Sequence, residues 1–163
     1  MIFVCLYSLI KQMTNEDKIV FFCDGTETEG IKKFCDQFNI VYEIFAYDYH
    51  SSSKIDNECR NYIHSQSDLD LIYLCEDDYL YFENSLVKIK EFLVKYPDYF
   101  CHPIDYPNLY ESDQRFVYPS DIILTQTHHW RSIKTTTYTL AFTKQLFDKN
   151  YNTFKILEGY VWD

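Results

Sequence analysis

The segment that most constrains this fold is an apolar run that ends abruptly in three acids. Leu71 to Cys75 reads LIYLC, and Glu76, Asp77 and Asp78 follow at once. A short apolar run between polar segments predicts a buried β-strand. Adjacent carboxylates repel one another, and a hard divalent cation with oxygen ligands relieves that repulsion. Because open α/β sheets bind ligands at the carboxyl ends of strands, we predict a metal site there that holds a phosphate-bearing substrate.

The first two-thirds of the chain alternates apolar runs with helical patterns, which indicates βαβ units and a mainly parallel sheet. The predicted strands are Lys18–Cys23, Val41–Ala46, Leu71–Cys75 and Tyr99–His102. The predicted helices are Glu29–Phe38, a segment from Ser51–Ser53 to about Ser67, and Glu83–Tyr96. Ser53, with Asp56 three residues later, predicts the N-cap of the middle helix.

The last third is richer in β-branched and aromatic residues, which favour strands. Asp105–Pro119 is predicted to be an irregular loop, followed by strands Ser120–Gln126, His129–Ser132 and Thr136–Phe142 and a short helix, Lys144–Lys149. A chain of 163 residues fits one domain. We therefore predict a single domain, 1–163, with a nucleotide-binding half over about 1–102 and an acceptor half over about 103–163.

Composition excludes several classes of function. The formal charge is −10, from 15 basic and 25 acidic residues, so the surface repels nucleic acid and anionic lipid. No run approaches the ~20 apolar residues that span a bilayer. Six scattered cysteines without a C-x-x-C pair argue against zinc and for a reduced compartment. We predict a soluble, cytoplasmic protein. Heavy use of Tyr, Phe, Ile, Asn and Lys hints at a viral, AT-rich genome, and the location would then be host cytoplasm or the virion.

Two further segments carry residue types suited to binding. Asp24 follows a predicted strand, where a carboxylate can accept hydrogen bonds from a base or ribose; the alternative is a turn-forming Asp-Gly. His129 and Arg131 lie in an HHWR segment that precedes three threonines, and they offer a metal ligand and a phosphate partner. The alternative is a β-hairpin with a stacked Trp. For the acidic triplet, the alternative is a solvated turn.

Three sequence pieces together resemble a known family: DLDLIYLCEDDYLYFENSL, CHPIDYPNLY and HHWRSIKTTTYTLAF. They are similar to GT-A-fold glycosyltransferases of the family 2 type, nearest to a small viral and bacterial group with an E-D-D-Y element and a later H-W-R…T-T-x-T element. The resemblance covers about Lys18 to Phe147. It implies an α/β, Rossmann-like, mainly parallel sheet flanked by helices, with a small β-rich acceptor part. It also implies a nucleotide-diphosphate sugar donor, a glycan or other hydroxyl acceptor, and Mn²⁺ or Mg²⁺.

The resemblance also implies roles for individual residues. Asp77 and Asp78 match the metal-binding acidic pair, and His129 is a further candidate metal ligand. The predicted donor contacts are Asp24, Arg60, Glu76 and Arg131. The catalytic base would be Glu158 or Asp163, and a base opposite the leaving group would invert the anomeric centre. Met1–Leu6 would have to supply the family's first strand.

Two alternatives stay open. Gly159 stands where the family often has the second acid of a catalytic pair, which favours an inactive nucleotide- or glycan-binding module on the same fold. A nucleotidyltransferase on a related α/β fold would normally need a Gly- and basic-rich loop near its first strand. Met1–Lys18 contains no such loop.

Overall fold

The computed structural model describes residues 2–25, 28–103, 121–132 and 139–156. These residues form a mixed α/β structure. The helices are α1 (Ile2–Ile10), α2 (Glu29–Gln37), α3 (Ser52–Ser65), α4 (Ser85–Lys95) and α5 (Lys144–Ile156). The strands are β1 (Ile19–Asp24), β2 (Tyr42–Tyr47), β3 (Leu71–Leu74), β4 (Ile122–Leu124), β5 (His129–Arg131) and β6 (Leu140–Thr143). Across the described ranges, no helix has both the length and the apolar character to cross a membrane.

The described strands pair into three two-stranded ladders. β1 and β2 are parallel, in register from Ile19 opposite Tyr42 to Asp24 opposite Tyr47, and α2 connects them. β3 and β6 are antiparallel, and so are β4 and β5. The α/β class is therefore confirmed, whereas the described strands do not form one mainly parallel sheet.

The core lies on both faces of the β3–β6 ladder, because successive side chains of a strand point to opposite faces. Ile72 and Phe142 are cross-strand partners. They share one cluster with buried residues of α3 and α5, namely Ile63, Leu146 and Phe147. On the other face, Tyr73 and Ala141 pack with the apolar side of α4, formed by Leu86, Ile89, Phe92 and Leu93. Helices thus cover this ladder on both sides.

The N-terminal segment is a helix, so the prediction that Met1–Leu6 supplies a strand is wrong. Cys5 and Leu6 are adjacent and both buried, which fits one face of α1. Phe3 and Tyr7, one helical turn apart, meet Phe34 of α2 and Phe38, the residue that follows α2. The centroid distances are 5.1 Å for Phe3–Phe34 and 5.4 Å for Tyr7–Phe38. The segment is apolar at nearly every position, so its pattern does not separate a strand from a helix, and the contacts with Phe34 and Phe38 are made by a helix.

Several predicted bounds also change. The predicted strand Tyr99–His102 is reduced to one bridge, between Cys101 and Ala141. The short helix predicted at Lys144–Lys149 continues to Ile156 because Phe147 stacks with Phe154 two turns later, at 5.3 Å between centroids. The N-cap of α3 is Ser51, which lies in the predicted Ser51–Ser53 triplet, whereas the Ser53–Asp56 capping pair is wrong because α3 already begins at Ser52. The Ser51 side chain makes no capping hydrogen bond to the helix. The predicted loop Asp105–Pro119 lies outside the described residues.

A closed set of polar contacts joins α3 to the parallel pair. Lys18 Nζ donates to Glu43 Oε1 at 3.0 Å and to Tyr62 Oη at 2.9 Å, and Tyr62 Oη donates to Glu43 Oε2 at 3.0 Å. The Tyr62 ring also contacts Phe22 and Phe45, at 5.6 and 5.4 Å between centroids. These contacts set the position of α3 against β1 and β2.

We expect Asp17→Asn to lower the free energy of unfolding near neutral pH and to lower it by less in acid. Asp17 Oδ1 accepts from Lys90 Nζ of α4 at 2.7 Å, and Oδ2 accepts from the Thr14 backbone N–H at 2.8 Å. Burial raises the pKa of Asp17, but these bonds outweigh burial and hold the pKa below its ordinary value. The stabilisation is therefore present above the unfolded pKa of about 4 and is lost as the pH falls through the lower folded pKa.

Urea unfolding of both proteins between about pH 7 and about pH 3 tests this. We expect a loss of about 1 kcal/mol at neutral pH, because the pair is partly exposed, and a smaller loss in acid. A penalty that does not shrink with falling pH would contradict the assignment.

Candidate functional site

We use the name acidic rim for the end of β1 together with the acidic segment after β3 (Cys23, Asp24 and Glu76–Asp78). Burial raises the pKa of the Cys23 thiol, and the Asp77 carboxylate is near enough to raise it further. Cys23 immediately precedes Asp24 at the end of β1. Asp77 is therefore near Cys23 at the end of β1, and the predicted grouping of Asp77 with Asp24 stays a prediction.

Glu76, Asp77 and Asp78 are all exposed at this rim. Glu76 Oε2 accepts a hydrogen bond from Tyr79 Oη at 3.1 Å. Among the residues with a described position, no ion pair joins the three acids to a lysine or arginine. In that same part of the chain, no three His, Cys, Asp or Glu side chains are grouped to hold a metal ion. Asp77 and Asp78 nevertheless offer the hard oxygen atoms that Mg²⁺ and Mn²⁺ prefer.

Helix α1 and Gln12, two residues after it, anchor the chain that leaves the acidic segment. The Tyr81 backbone N–H donates to Ser8 Oγ at 2.9 Å, and the Leu86 N–H donates to Gln12 Oε1 at 3.3 Å. The Tyr81 ring meets Tyr73 of β3 edge-on, with 6.0 Å between centroids. The acids are thus held between β3 and a segment tied to α1. Sequence reasoning missed this tie because it assigned the start of α1 to a strand.

Asp24 makes the most complete set of contacts at the rim. Its Oδ1 accepts from the backbone N–H groups of Tyr49 and His50, each at 3.0 Å, and its Oδ2 accepts from the Ser51 N–H at 2.7 Å. Desolvation tends to raise the pKa of Asp24, but the three N–H donors outweigh it and lower the pKa. A carboxylate has about four acceptor positions, so these three bonds use most of its capacity. The predicted nucleoside contact by Asp24 stays a prediction.

Arg60 contacts residues of α3 and α5. Its Nη2 donates to Asp56 Oδ2 at 2.9 Å, and its Nη1 lies 3.5 Å from the Phe154 carbonyl oxygen. Burial raises the pKa of Asp56, and the Arg60 charge opposes that rise. These contacts join the two helices, and the predicted donor contact by Arg60 is untested.

The HHWR segment forms β5 of a hairpin that packs on α4. Trp130 contacts Phe92 of α4 at 4.8 Å between ring centroids, and its cross-strand partner Ile123 packs in the same cluster. Because side chains alternate along a strand, His129 and Arg131 lie together on the face opposite Trp130. His129 is exposed and Arg131 is half-buried. The structure therefore groups these two candidates and assigns Trp130 to the core.

Glu91 of α4 fixes the turn of this hairpin and was not a sequence candidate. Its carboxylate accepts from the Gln126 N–H, from the Thr127 hydroxyl and from the Thr127 N–H, the last at 3.0 Å. The Thr127 hydroxyl bond is the leading cause that lowers the pKa of Glu91. Lys95 Nζ and Tyr96 Oη also donate to the Leu124 carbonyl, at 2.8 and 3.0 Å. A single charged residue on the outer side of a helix gives no sequence signal for such a role.

Some predicted residues lie outside the described part of the chain. These are the two candidate bases, Glu158 and Asp163, and the threonines at 135–137. The structure therefore does not test the predicted role of Glu158 or Asp163 as catalytic base.

Comparisons with protein-family models, with curated proteins and with solved structures found no match to this chain. The resemblance to glycosyltransferases therefore rests on the sequence motifs alone.

We expect Glu91→Ala to loosen the hairpin turn without unfolding the protein. The substitution removes the acceptor of the Gln126 and Thr127 N–H groups, and those amides should exchange about three- to tenfold faster. Amide exchange measured by NMR on the full chain would show this. Glu83→Ala, which removes an exposed acid just before α4, is the matched control and should leave these amides unchanged. Equal exchange in wild type and Glu91→Ala would show that the carboxylate does not hold the turn.

Proposed function

We propose that this protein is a metal-dependent glycosyltransferase of GT-A-like, Rossmann-like architecture. It would move a sugar from a nucleotide-diphosphate donor to a hydroxyl acceptor such as a glycan. The observation that carries the proposal is the exposed acidic segment directly after strand β3, with Asp77 near Cys23 at the end of β1. The E-D-D-Y and H-W-R elements of the sequence support the same reading.

The charge at the rim makes a cation necessary for this function. Two like charges about 4 Å apart repel by roughly 4 kcal/mol at an effective dielectric constant of 20, so a bare diphosphate would be rejected there. Asp77 and Asp78 would hold Mn²⁺ or Mg²⁺, with His129 as a further candidate ligand. When bound, the ion supplies positive charge to the leaving diphosphate. Glu76 adds a third negative charge next to Asp77 and Asp78. The hydrogen bond that Tyr79 Oη donates holds its Oε2 in place.

The remaining roles fall to residues on either side of the transferred sugar. Arg131 would donate hydrogen bonds to the diphosphate. Arg60 and Asp24 would complete the donor contacts. On the acceptor side, Glu158 or Asp163 would take the proton from the attacking hydroxyl. If that base lies opposite the leaving group, the anomeric centre is inverted. The location proposed with this function is the cytoplasm, or host cytoplasm or the virion for a viral protein.

The second candidate is an inactive nucleotide- or glycan-binding module on the same fold. Gly159, in place of a second acid, favours it. This candidate predicts nucleotide or glycan binding without turnover, whereas the enzyme predicts both binding and turnover.

We expect release of nucleoside diphosphate when the full chain meets its sugar nucleotide and acceptor in the presence of Mn²⁺ or Mg²⁺. The assay takes a panel of UDP-, GDP-, ADP- and dTDP-sugars, with and without chelator. Release that the chelator abolishes would support the enzyme. Binding without release would favour the inactive module, and neither binding nor release for any donor would count against the enzyme and against a nucleotide-binding module.

We expect Asp78→Asn to weaken Mn²⁺-dependent nucleotide binding at least tenfold, because loss of a supporting ligand alone costs about 10- to 100-fold in metal affinity. Calorimetry with UDP and GDP, with and without Mn²⁺, measures it, and thermal unfolding checks that the fold is intact. Asp68→Asn is the control, since Asp68 is exposed in the loop before β3. Undiminished Mn²⁺-dependent affinity in Asp78→Asn would remove Asp78 from the metal site.

A further inference from the structure

We propose that Ser8 of α1 is a positioning residue for the acidic loop, the name we give to residues 75–80 between β3 and Tyr81. Ser8 holds Tyr81, which keeps this loop closed and presents Glu76–Asp78 together to a divalent cation. The closure of the loop stands on its own contacts. The effect on cation binding rests on the proposed function, because it needs the metal site of that proposal.

The acidic loop begins and ends at points that lie close together. Tyr73 of β3 and Tyr81 are eight residues apart in the sequence, and eight extended residues would span about 26 Å. Their rings nevertheless meet edge-on, with 6.0 Å between centroids and planes 88° apart. Compact loops of about 6–16 residues whose ends lie close together are Ω-loops, which are frequently functional. The three acids therefore lie on a closed loop.

The first end of the acidic loop is fixed by the β3–β6 ladder. Leu74, the last residue of β3, is the register partner of Leu140, and Tyr73 is the register partner of Ala141. Leu74 and Tyr73 also pack against the two core clusters on opposite faces of this ladder. Because this end is built into the core, opening of the loop requires movement at its other end, Tyr81.

The second end of the acidic loop is fixed by Tyr81. Its backbone N–H donates to Ser8 Oγ at 2.9 Å, and its hydroxyl oxygen is buried. Its two neighbours are open to solvent, since Leu80 is 60% exposed and Phe82 is 82% exposed. Tyr81 is thus the inward residue of an exposed segment, and its bond to Ser8 ties the backbone of that segment to α1.

Ser8 is suited to this role because its hydroxyl group has one partner to donate to and one to accept from. Ser8 Oγ donates to the Cys5 carbonyl oxygen at 2.7 Å, which leaves its lone pairs for the Tyr81 N–H. The helix that carries Ser8 is itself held, since Cys5 is buried and the Tyr7 ring lies 5.4 Å from that of Phe38 between centroids. Tyr81 is therefore bonded to a fixed point.

Gln12 adds a second tie, to the start of α4. Its Nε2 donates to the Ser8 carbonyl oxygen at 3.1 Å, and its Oε1 accepts from the Leu86 N–H at 3.3 Å. This tie does not use the Ser8 hydroxyl. Loss of that hydroxyl should therefore loosen the acidic loop at Tyr81 and leave the start of α4 in place.

The charge of the acidic loop makes its closure important for a cation. Glu76, Asp77 and Asp78 are adjacent and exposed, and their mutual repulsion favours a more open chain. A ligand binds more weakly in proportion to the fraction of protein that is not in the binding-competent state. Closure at Tyr81 raises that fraction before the cation arrives. Because such coupling is reciprocal, a bound cation should also stabilise the bond between Tyr81 and Ser8.

Ser8→Ala removes the acceptor of the Tyr81 N–H and leaves the three acids unchanged. Alanine favours a helix more than serine does, so the substitution does not weaken α1 through helix propensity. Ser8→Thr keeps a hydroxyl group and is the rescue variant. Ser65→Ala is the matched control, because Ser65 Oγ donates to the Tyr62 carbonyl oxygen three residues earlier at 2.7 Å, as Ser8 does to Cys5, but it lies at the end of α3.

The experiment measures amide exchange by NMR on the full chain, and Mn²⁺ binding by the EPR signal of the free ion, with and without UDP or GDP. In Ser8→Ala we expect the Tyr81 amide to exchange about three- to tenfold faster. We expect Mn²⁺ to bind about three- to tenfold more weakly, because the closed fraction of the loop falls. Ser8→Thr and Ser65→Ala should match the wild-type protein. In the wild-type protein, Mg²⁺ with UDP or GDP should slow exchange at Tyr81.

Each outcome decides a different part. Unchanged exchange at Tyr81 in Ser8→Ala overturns the closure of the loop by Ser8. The positioning role is overturned by full Mn²⁺ affinity in Ser8→Ala, by an equal loss in Ser65→Ala, or by wild-type exchange at Tyr81 that Mg²⁺ does not slow; the proposed function survives all three. If the wild-type protein binds no Mn²⁺ with or without nucleotide, the proposed metal site fails and the positioning role fails with it, while the exchange data still decide the closure.

Discussion

The pairing of β3 with β6 is the interaction on which the rest of this structure depends. It puts Ile72 against Phe142 on one face and Tyr73 against Ala141 on the other. Each face then has its own helical cover, α3 and α5 on one side and α4 on the other. Because apolar burial is the main favourable term in folding, both clusters rely on this ladder. The position of the acidic segment follows from it, since that segment begins where β3 ends.

Acidic side chains have a second use in this protein besides solubility. Asp17, Asp24 and Glu91 each accept hydrogen bonds from backbone N–H groups of a loop or turn. Asp17 ties the segment after α1 to α4, Asp24 ties the start of α3 to β1, and Glu91 ties the hairpin turn to α4. A chain with a charge of −10 thus uses several of its carboxylates as structural acceptors. The acids after β3 differ, because they are exposed together and only Glu76 has a hydrogen-bond partner among the described residues.

The loops of the proposed site are held by hydrogen bonds to residues of other elements. α1 holds the chain after the acidic triplet, and α4 holds the hairpin that carries His129 and Arg131. The segment before α3 is held by Asp24. Such anchoring reduces the ordering cost that a ligand would otherwise meet on binding. It also explains why residues remote from any predicted chemistry, such as Ser8 and Glu91, bear on the geometry of the site.

The sequence by itself determined the order and type of most elements from β1 to α4, because each carries a local apolar period of its own. It also led to the prediction that Asp24 and Asp77 lie at the same edge, since both come at the ends of predicted strands. Only the tertiary structure decided which strands pair, that the first segment is a helix against α2, and that Arg60 contacts α5. It also decided that the oxygens of Asp24 meet the N–H groups of residues 49–51. These features depend on contacts between distant segments, and a local pattern does not encode which distant partner a face or a carboxylate will meet.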